Sequence, residues 1–174
     1  LLPIEKKEDI PFPYRDMHIG HLLEYHNLGR SFEPCAKPEL LVGICMDNRK
    51  YLHIPDNFAF IIRAGGANLL FSEFKVSYCI AVGGVSVIAL IAHTECGMVN
   101  LTARKELFVD GLVKRAGWER DAAEKHFREF SPLFEIEKII DGTDHKIGGY
   151  AYFTQADVRD YNKELRQDLL LLQI

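Results

Sequence analysis

Two short segments of this 174-residue chain hold the side chains best suited to chemistry. Cys45-Met46-Asp47-Asn48-Arg49 offers a thiol, a carboxylate and a guanidinium at alternate positions. His93-Thr94-Glu95-Cys96-Gly97 offers an imidazole and, three residues on, a second thiol. Two thiolates and one imidazole are ligands that zinc accepts, and a set of three leaves the fourth tetrahedral position open, the pattern of a catalytic site. Asp47 and Arg49 lie two apart, so on extended backbone they point to the same side. Arginine stays charged at any useful pH, and its planar fork can grip a carboxylate with two hydrogen bonds. Held in this way, Asp47 is an oriented acceptor. The plainer alternatives are a core cysteine pair beside a buried histidine, and a surface ion pair of the kind that is worth little.

For the two segments to meet, the elements before them must end at the same edge. Leu40-Leu41-Val42-Gly43-Ile44 leads directly into Cys45, and Val85 to Ala92 leads directly into His93. Such nearly continuous apolar runs fit strands of a parallel sheet covered on both faces. In open sheets of that kind, ligands collect at the carboxyl ends of the strands. Between the two runs, Pro55-Asp56-Asn57 signals a turn and Phe58 to Arg63 a second strand. Gly65 and Gly66 follow, permitting positive φ or a close backbone approach. A helix from about Ser72 to Val82 is ended by Gly83-Gly84 and returns the chain to the strand Val85–Ala92. Strand, helix and strand at this spacing predict a right-handed crossover unit.

The flanks are read more coarsely. Residues 1 to 14 hold Pro3, Pro11 and Pro13 and are expected to form an extended arm. Asp16 would cap a helix from Met17 to Leu28, with Gly29 at its C-terminal end. His18 and His21 share a face of that helix, and half-buried or surface imidazoles are the preferred reading over a zinc site there. Beyond Cys96 the periodicity predicts helices over Leu101–Ala116, Trp118–Phe130 and, opened by Ser131-Pro132, Leu133–Ile140. Asp141-Gly142-Thr143 reads as a turn, Ile147–Phe153 as a last strand, and Asp157–Leu172 as a final helix. The whole is expected to be one α/β domain over residues 1–174, a mostly parallel central sheet flanked by helices. Residues 1–37 would form its N-terminal arm and helix, and 154–174 its C-terminal helix.

Composition fits that expectation. Hydrophobic residues make up 48% and charged residues 26%, as in ordinary globular domains, and the net charge of −4 gives no electrostatic case for nucleic acid. No apolar run approaches the length that spans a bilayer. The charges in Glu5-Lys6-Lys7-Glu8-Asp9 stand where a secretory signal would place its apolar region. A first residue other than Met reads as a trimmed or incomplete start. Four cysteines in a chain of this length do not make a disulfide scaffold. With Cys45 and Cys96 spent as ligands, Cys35 and Cys79 read as free thiols, and a reducing, cytoplasmic compartment follows.

Cys-x-Asp-x-Arg, then His-x-x-Cys-Gly after another strand, resembles the β-class carbonic anhydrase family. Between them, Phe60-Ile61-Ile62-Arg63-Ala64-Gly65-Gly66 is similar to that family's Arg-Asn-Ala-Gly loop, with Ala64 where asparagine is usual. The similarity covers residues 38 to 104. It implies zinc on Cys45, His93 and Cys96, and reversible hydration of CO2 to bicarbonate by zinc-bound hydroxide. It also implies an Asp47–Arg49 dyad with a second state, in which Asp47 leaves Arg49 and becomes a fourth ligand. The family's basic unit is a dimer with partner-swapped terminal helices, so a homodimer or a larger homo-oligomer is expected. The arm and the apolar run Leu169–Leu172 are the segments least able to bury themselves within one small domain, and the latter is expected to pack on the domain or on a second subunit.

The remaining assignments concern the surroundings of the ligands. Backbone N–H groups at Gly97, where a helix is expected to begin, and at Gly65 and Gly66 would support a substrate oxygen. A plain loop glycine serves Gly97 nearly as well. His53 and His145 are candidates for proton carriers, though each reads more simply as an exposed imidazole, and Arg63 reads as a fold or dimer contact. Two further functions use the same ligands. One is hydrolysis of carbonyl sulfide or carbon disulfide, and the other is a non-catalytic zinc-binding or regulatory module whose Asp47 closes the site.

Overall fold

Alternation along one strand organises this protein. In the computed structural model, β1 (Leu40–Cys45) is buried along its whole length. Leu40, Val42 and Ile44 enter one apolar cluster, with Ile19, Leu22, Leu23 and Tyr25. Leu41 enters a second, with Val76 and Cys79. Successive strand residues face opposite ways, so a strand covered on both sides must be apolar throughout. The structure describes residues 4–38, 40–49, 51–93 and 96–135, together with the backbone of two later strands, 149–154 and 170–173.

The sheet runs β2-β1-β3-β4-β5, where β2 is Ala59–Ala64, β3 Ile88–His93, β4 Gly149–Thr154 and β5 Leu170–Gln173. β1 pairs in parallel with both β2 and β3, giving a parallel three-stranded centre. β4 is antiparallel to β3, and β5 to β4. The fold is α/β, with helices flanking the parallel strands, as expected. Among the described residues no helix is long and apolar enough to cross a membrane.

The chain divides into two compact units, residues 1–94 with 145–174 and residues 95–144. In the first unit the short helix α1 (Phe12–Arg15) precedes α2 (His18–Leu28), and α3 (Glu73–Ala81) links β2 to β3. Gly29 closes α2 in the left-handed conformation, as read from the sequence. Its N-cap is Met17, not Asp16, whose side chain is 82% exposed beside Lys7. α3 buries Val76 and Cys79 and leaves Phe74, Tyr78 and Val82, four apart on its outer face, exposed.

The predicted extended arm is instead folded onto the domain. Lys7–Asp9 forms a turn of 3-10 helix, α1 follows, and Ile4 and Ile10 are buried in the first cluster. Its prolines do not prevent this, because Pro13 stands in the first turn of α1, where no N–H is needed. Arg15 Nε and Nη2 donate to the Ile10 carbonyl, and Nη2 also donates to that of Glu8. Lys7 reaches the buried Glu24 at 3.0 Å, and Arg30 holds the other carboxylate oxygen at 2.9 Å.

In the second unit Leu101–Arg104 is 3-10 helix and leads into α4 (Lys105–Ala116), closed by Gly117 at φ +69°. α5 (Arg120–Phe134) follows and runs through Pro132. Ser131-Pro132 therefore does not open a new helix; Leu133 and Phe134 end α5, and Glu135 is already extended. Phe108 packs on Phe127 at 5.2 Å, and His126 lies among Phe108, Trp118 and Phe130. Residues 136–140, the turn at 141–143 and the greater part of the predicted last helix lie outside the described residues. Where that helix was to end, Leu170–Gln173 is a strand, its backbone paired with β4.

Candidate metal centre

β1 and β3 are neighbours, in register from Leu41 opposite Ile88 to Ile44 opposite Ile91. Two parallel strands in that register end together, which brings Cys45 and His93, their last residues, to one edge of the sheet. Cys96 follows three residues later. Cys45 and Cys96 are each 3% exposed and His93 7%. Their ligand atoms, two Sγ and an imidazole nitrogen, all lie within 4.8 Å of one another.

That spacing can be tested against a metal. Zinc–sulfur bonds of about 2.3 Å and zinc–nitrogen bonds of about 2.0–2.1 Å at tetrahedral angles need donors roughly 3.5–3.8 Å apart. Donors already gathered inside 4.8 Å reach that spacing by small side-chain movements. Two thiols and an imidazole also form the soft, nitrogen-and-sulfur set that zinc accepts. The residues fit the ion. None of the four cysteines is in a disulfide, so neither thiol is spent in one.

Hydrogen bonds tie the segment after Cys45 together. The Asp47 N–H points at Cys45 Sγ, 3.5 Å away. Arg49 Nε lies 3.0 Å from both Asp47 carboxylate oxygens, Nη2 donates to Oδ2, and the Arg49 backbone N–H donates to Oδ1 at 3.0 Å. Hydrogen bonds from the guanidinium, and then from the backbone N–H, hold the Asp47 carboxyl well below the usual carboxylate range. Partial burial opposes them. Of the two states the family resemblance implies for Asp47, this is the one in which it binds Arg49.

Around this centre the sequence expectations divide. Gly65–Ala67 forms a 3-10 turn directly after β2, packed against both β1 and β3, with Gly66 at φ +63°. Gly97 does not open a helix. It is exposed in a turn closed by Val99 N–H to Cys96 C=O at 3.1 Å, and helical structure begins only at Leu101, after Asn100 in the left-handed region. The His53 backbone N–H donates to His26 Nδ1 at 3.0 Å, and its ring lies against Phe32. His18 and His21 meet edge to face at 6.3 Å. His145 lies outside the described residues.

Two features escaped the sequence reading. Ala67 adopts φ +59°, for which alanine gives no signal, since the left-handed region is the province of glycine and asparagine. Arg63 donates from Nη1 to the Cys45 carbonyl at 2.9 Å, making it an intramolecular contact at the ligand itself.

No family model matches the chain, and no curated protein matches it. A solved structure does. The carbonic anhydrase of Streptococcus mutans aligns with 63% of this chain and 80% of its own, at 18% identity and a TM-score of 0.39. At that distance the donor set itself has to carry a function.

Proposed function

We propose that this protein is a zinc-dependent carbonic anhydrase that interconverts CO2 and bicarbonate. The observation that carries the reading is the convergence of Cys45, His93 and Cys96 at the carboxyl edge of a parallel sheet, with Asp47 beside them and bound to Arg49. Zinc, when bound, would supply Lewis acidity, enough to bring the pKa of a water down to about 7 or somewhat above.

The chain's own residues do the rest. Cys45 and Cys96 contribute thiolates whose charges nearly cancel that of the ion, and His93 completes the set from the end of β3. Burial of all three keeps bulk water from competing for the donors. Arg49 orients the Asp47 carboxylate, which accepts a hydrogen bond from the attacking oxygen and so directs a lone pair toward carbon. Held well below the usual carboxylate range, Asp47 does not keep a proton at neutral pH. It is an acceptor that orients, and the released proton leaves to solvent or buffer. The Gly65–Ala67 turn, packed on both ligand-bearing strands, is the candidate wall of the substrate pocket.

A closed zinc module would need Asp47 as the fourth ligand, and its grip on Arg49 favours the enzyme. Carbonyl sulfide and carbon disulfide place the same demands on these residues and are assayed beside CO2. Self-association is part of the proposal. With Ile4 and Ile10 buried in their own chain, the exposed Phe74 and Tyr78 on α3 and Val82 just beyond its end are what supports it. Four cysteines without a disulfide among them support a reducing, cytoplasmic setting.

The test is elemental analysis followed by stopped-flow hydration. About one zinc per chain is expected, lost in Cys45→Ser, His93→Ala and Cys96→Ser. Full zinc in all three variants would place the metal elsewhere. Zinc-loaded protein inactive on all three substrates from about pH 6 to 9, around the acidity expected of the bound water, would refute the enzyme. Sedimentation of the active protein as a monomer at micromolar concentration would refute the dimer.

A further inference from the structure

β2 is an edge strand of the sheet as described, and its last two residues hold the peptide that joins Cys45 to Met46. The Ala64 carbonyl accepts the Met46 N–H at 3.0 Å. Arg63, opposite Ile44 in the register, sends Nη1 to the Cys45 carbonyl at 2.9 Å. The β1–β3 register ends one residue short of the ligand, at Ile44 opposite Ile91. The guanidinium therefore reaches the main chain at the point where the ladder between the two ligand-bearing strands runs out. On the far side of Cys45, Asp47 points its N–H at the sulfur and is itself pinned by Arg49.

We propose that Arg63 is a positioning residue for the metal centre. It fixes the Cys45 peptide and thereby sets where the Cys45 sulfur stands relative to His93 and Cys96. The inference rests on the reading of those three side chains as metal ligands. A cysteine sulfur is separated from the backbone by a single rotatable bond, so a shift of the peptide is passed directly to the metal. Partners that orient ligands in this manner typically account for a factor of about 10 to 100 in metal affinity. Arginine suits the task because its rigid, multi-donor head stays charged at every working pH.

The experiment compares wild type, Arg63→Met, Arg63→Lys and Cys45→Ser by zinc competition against a chromophoric chelator and by the absorption of the cobalt-substituted proteins. Arg63→Met keeps the reach of the side chain but not its donors. It should weaken zinc binding about 10-fold or more and shift the ligand-field and thiolate charge-transfer bands of cobalt. Arg63→Lys, which retains a charged donor, should recover most of both. An arginine that merely supported the fold would lower the melting temperature and leave affinity and cobalt bands unchanged. Wild-type affinity and bands in Arg63→Met overturn the proposal while leaving the metal centre intact. If Arg63→Met fails to fold, Arg63→Gln, too short to reach the carbonyl, stands in for it under the same criteria. Wild type that binds no zinc, or Cys45→Ser that binds it as tightly as wild type, overturns the metal reading and this inference with it.

Discussion

Gly20→Ala sets two effects of opposite sign against each other. Gly20 is the third residue of α2, and alanine inside a helix is favoured over glycine by about 1 kcal/mol. A surface helix would gain that amount. Here, however, a Cβ on residue 20 would stand 2.2 Å from the Arg15 carbonyl oxygen and 2.5 Å from that of Tyr14. Both are backbone atoms at the end of α1, so relief cannot come from a side-chain rotation. α1 would have to move, and Arg15 ties it to the Ile10 carbonyl, while Ile10 itself is fully buried. Overpacking of this kind costs about 1–3 kcal/mol even where side chains can adjust, and displacing Ile10 adds part of the roughly 1.5–3 kcal/mol of burying such a residue. The loss therefore exceeds the gain, and a net destabilisation of about 2 kcal/mol is expected. At roughly 2–4 °C per kcal/mol for a chain of this size, the melting temperature should fall by about 4–8 °C. Thermal and urea melts by circular dichroism, at matched metal content, measure it. A variant as stable as wild type, or stabilised by about 1 kcal/mol as in an unhindered helix, would refute the packing of α1 on α2.

Arg49→Ala and Asp47→Ala should each keep about one zinc per chain and lower the hydration rate about 100-fold or more, because neither residue is an obligatory ligand. Loss of zinc from either variant, or an undiminished rate, would contradict the assigned roles. Glu24→Gln should destabilise the protein at neutral pH, by an amount that shrinks in acid. Burial alone would raise the Glu24 carboxyl, but hydrogen bonds and charges from Lys7 and Arg30 prevail and hold it below its ordinary value. A depressed carboxyl contributes stability above the unfolded pKa of about 4.3 and loses it as pH falls through the folded value. Urea midpoints at a series of pH values from about 7 to 3 should thus converge for wild type and variant. A gap that stays constant through that range would show that the ion pairs contribute nothing.

The central sheet was legible because burial on both faces leaves nothing but apolar residues in β1 and β3, and the motifs stood directly at their ends. The register of β1 and β3 then brings Cys45 and His93 together with no further information needed. Gly29 marked its helix end correctly, since it adopts the left-handed conformation that glycine tolerates best. The errors have physical sources. A short run such as Leu169–Leu172 has no polar positions to distinguish a period of 2 from one of 3.6, and β5 was taken for the end of a helix. Pro132 suggested a helix start, yet in the last turn of α5 it forfeits a single hydrogen bond, which the helix tolerates. The arm looked extended because prolines are locally informative, whereas the burial of Ile4 and Ile10 is decided by distant partners. Arg63 at the Cys45 carbonyl depends on strand register, which no local pattern encodes.

Cys45 and His93 stand close together on neighbouring strands, but roughly 50 residues of chain run between them, including all of β2 and α3. An ion gripping both ends ties that stretch into a ring. For an unfolded chain, a ring of this size removes freedom worth about 4 kcal/mol, if a metal clip acts as a covalent cross-link does. The centre would then be a clasp as much as a reactive group. Stripping the ion should release β2 and α3 as one block, and their amides should gain hydrogen exchange together while α2, outside the ring, changes little.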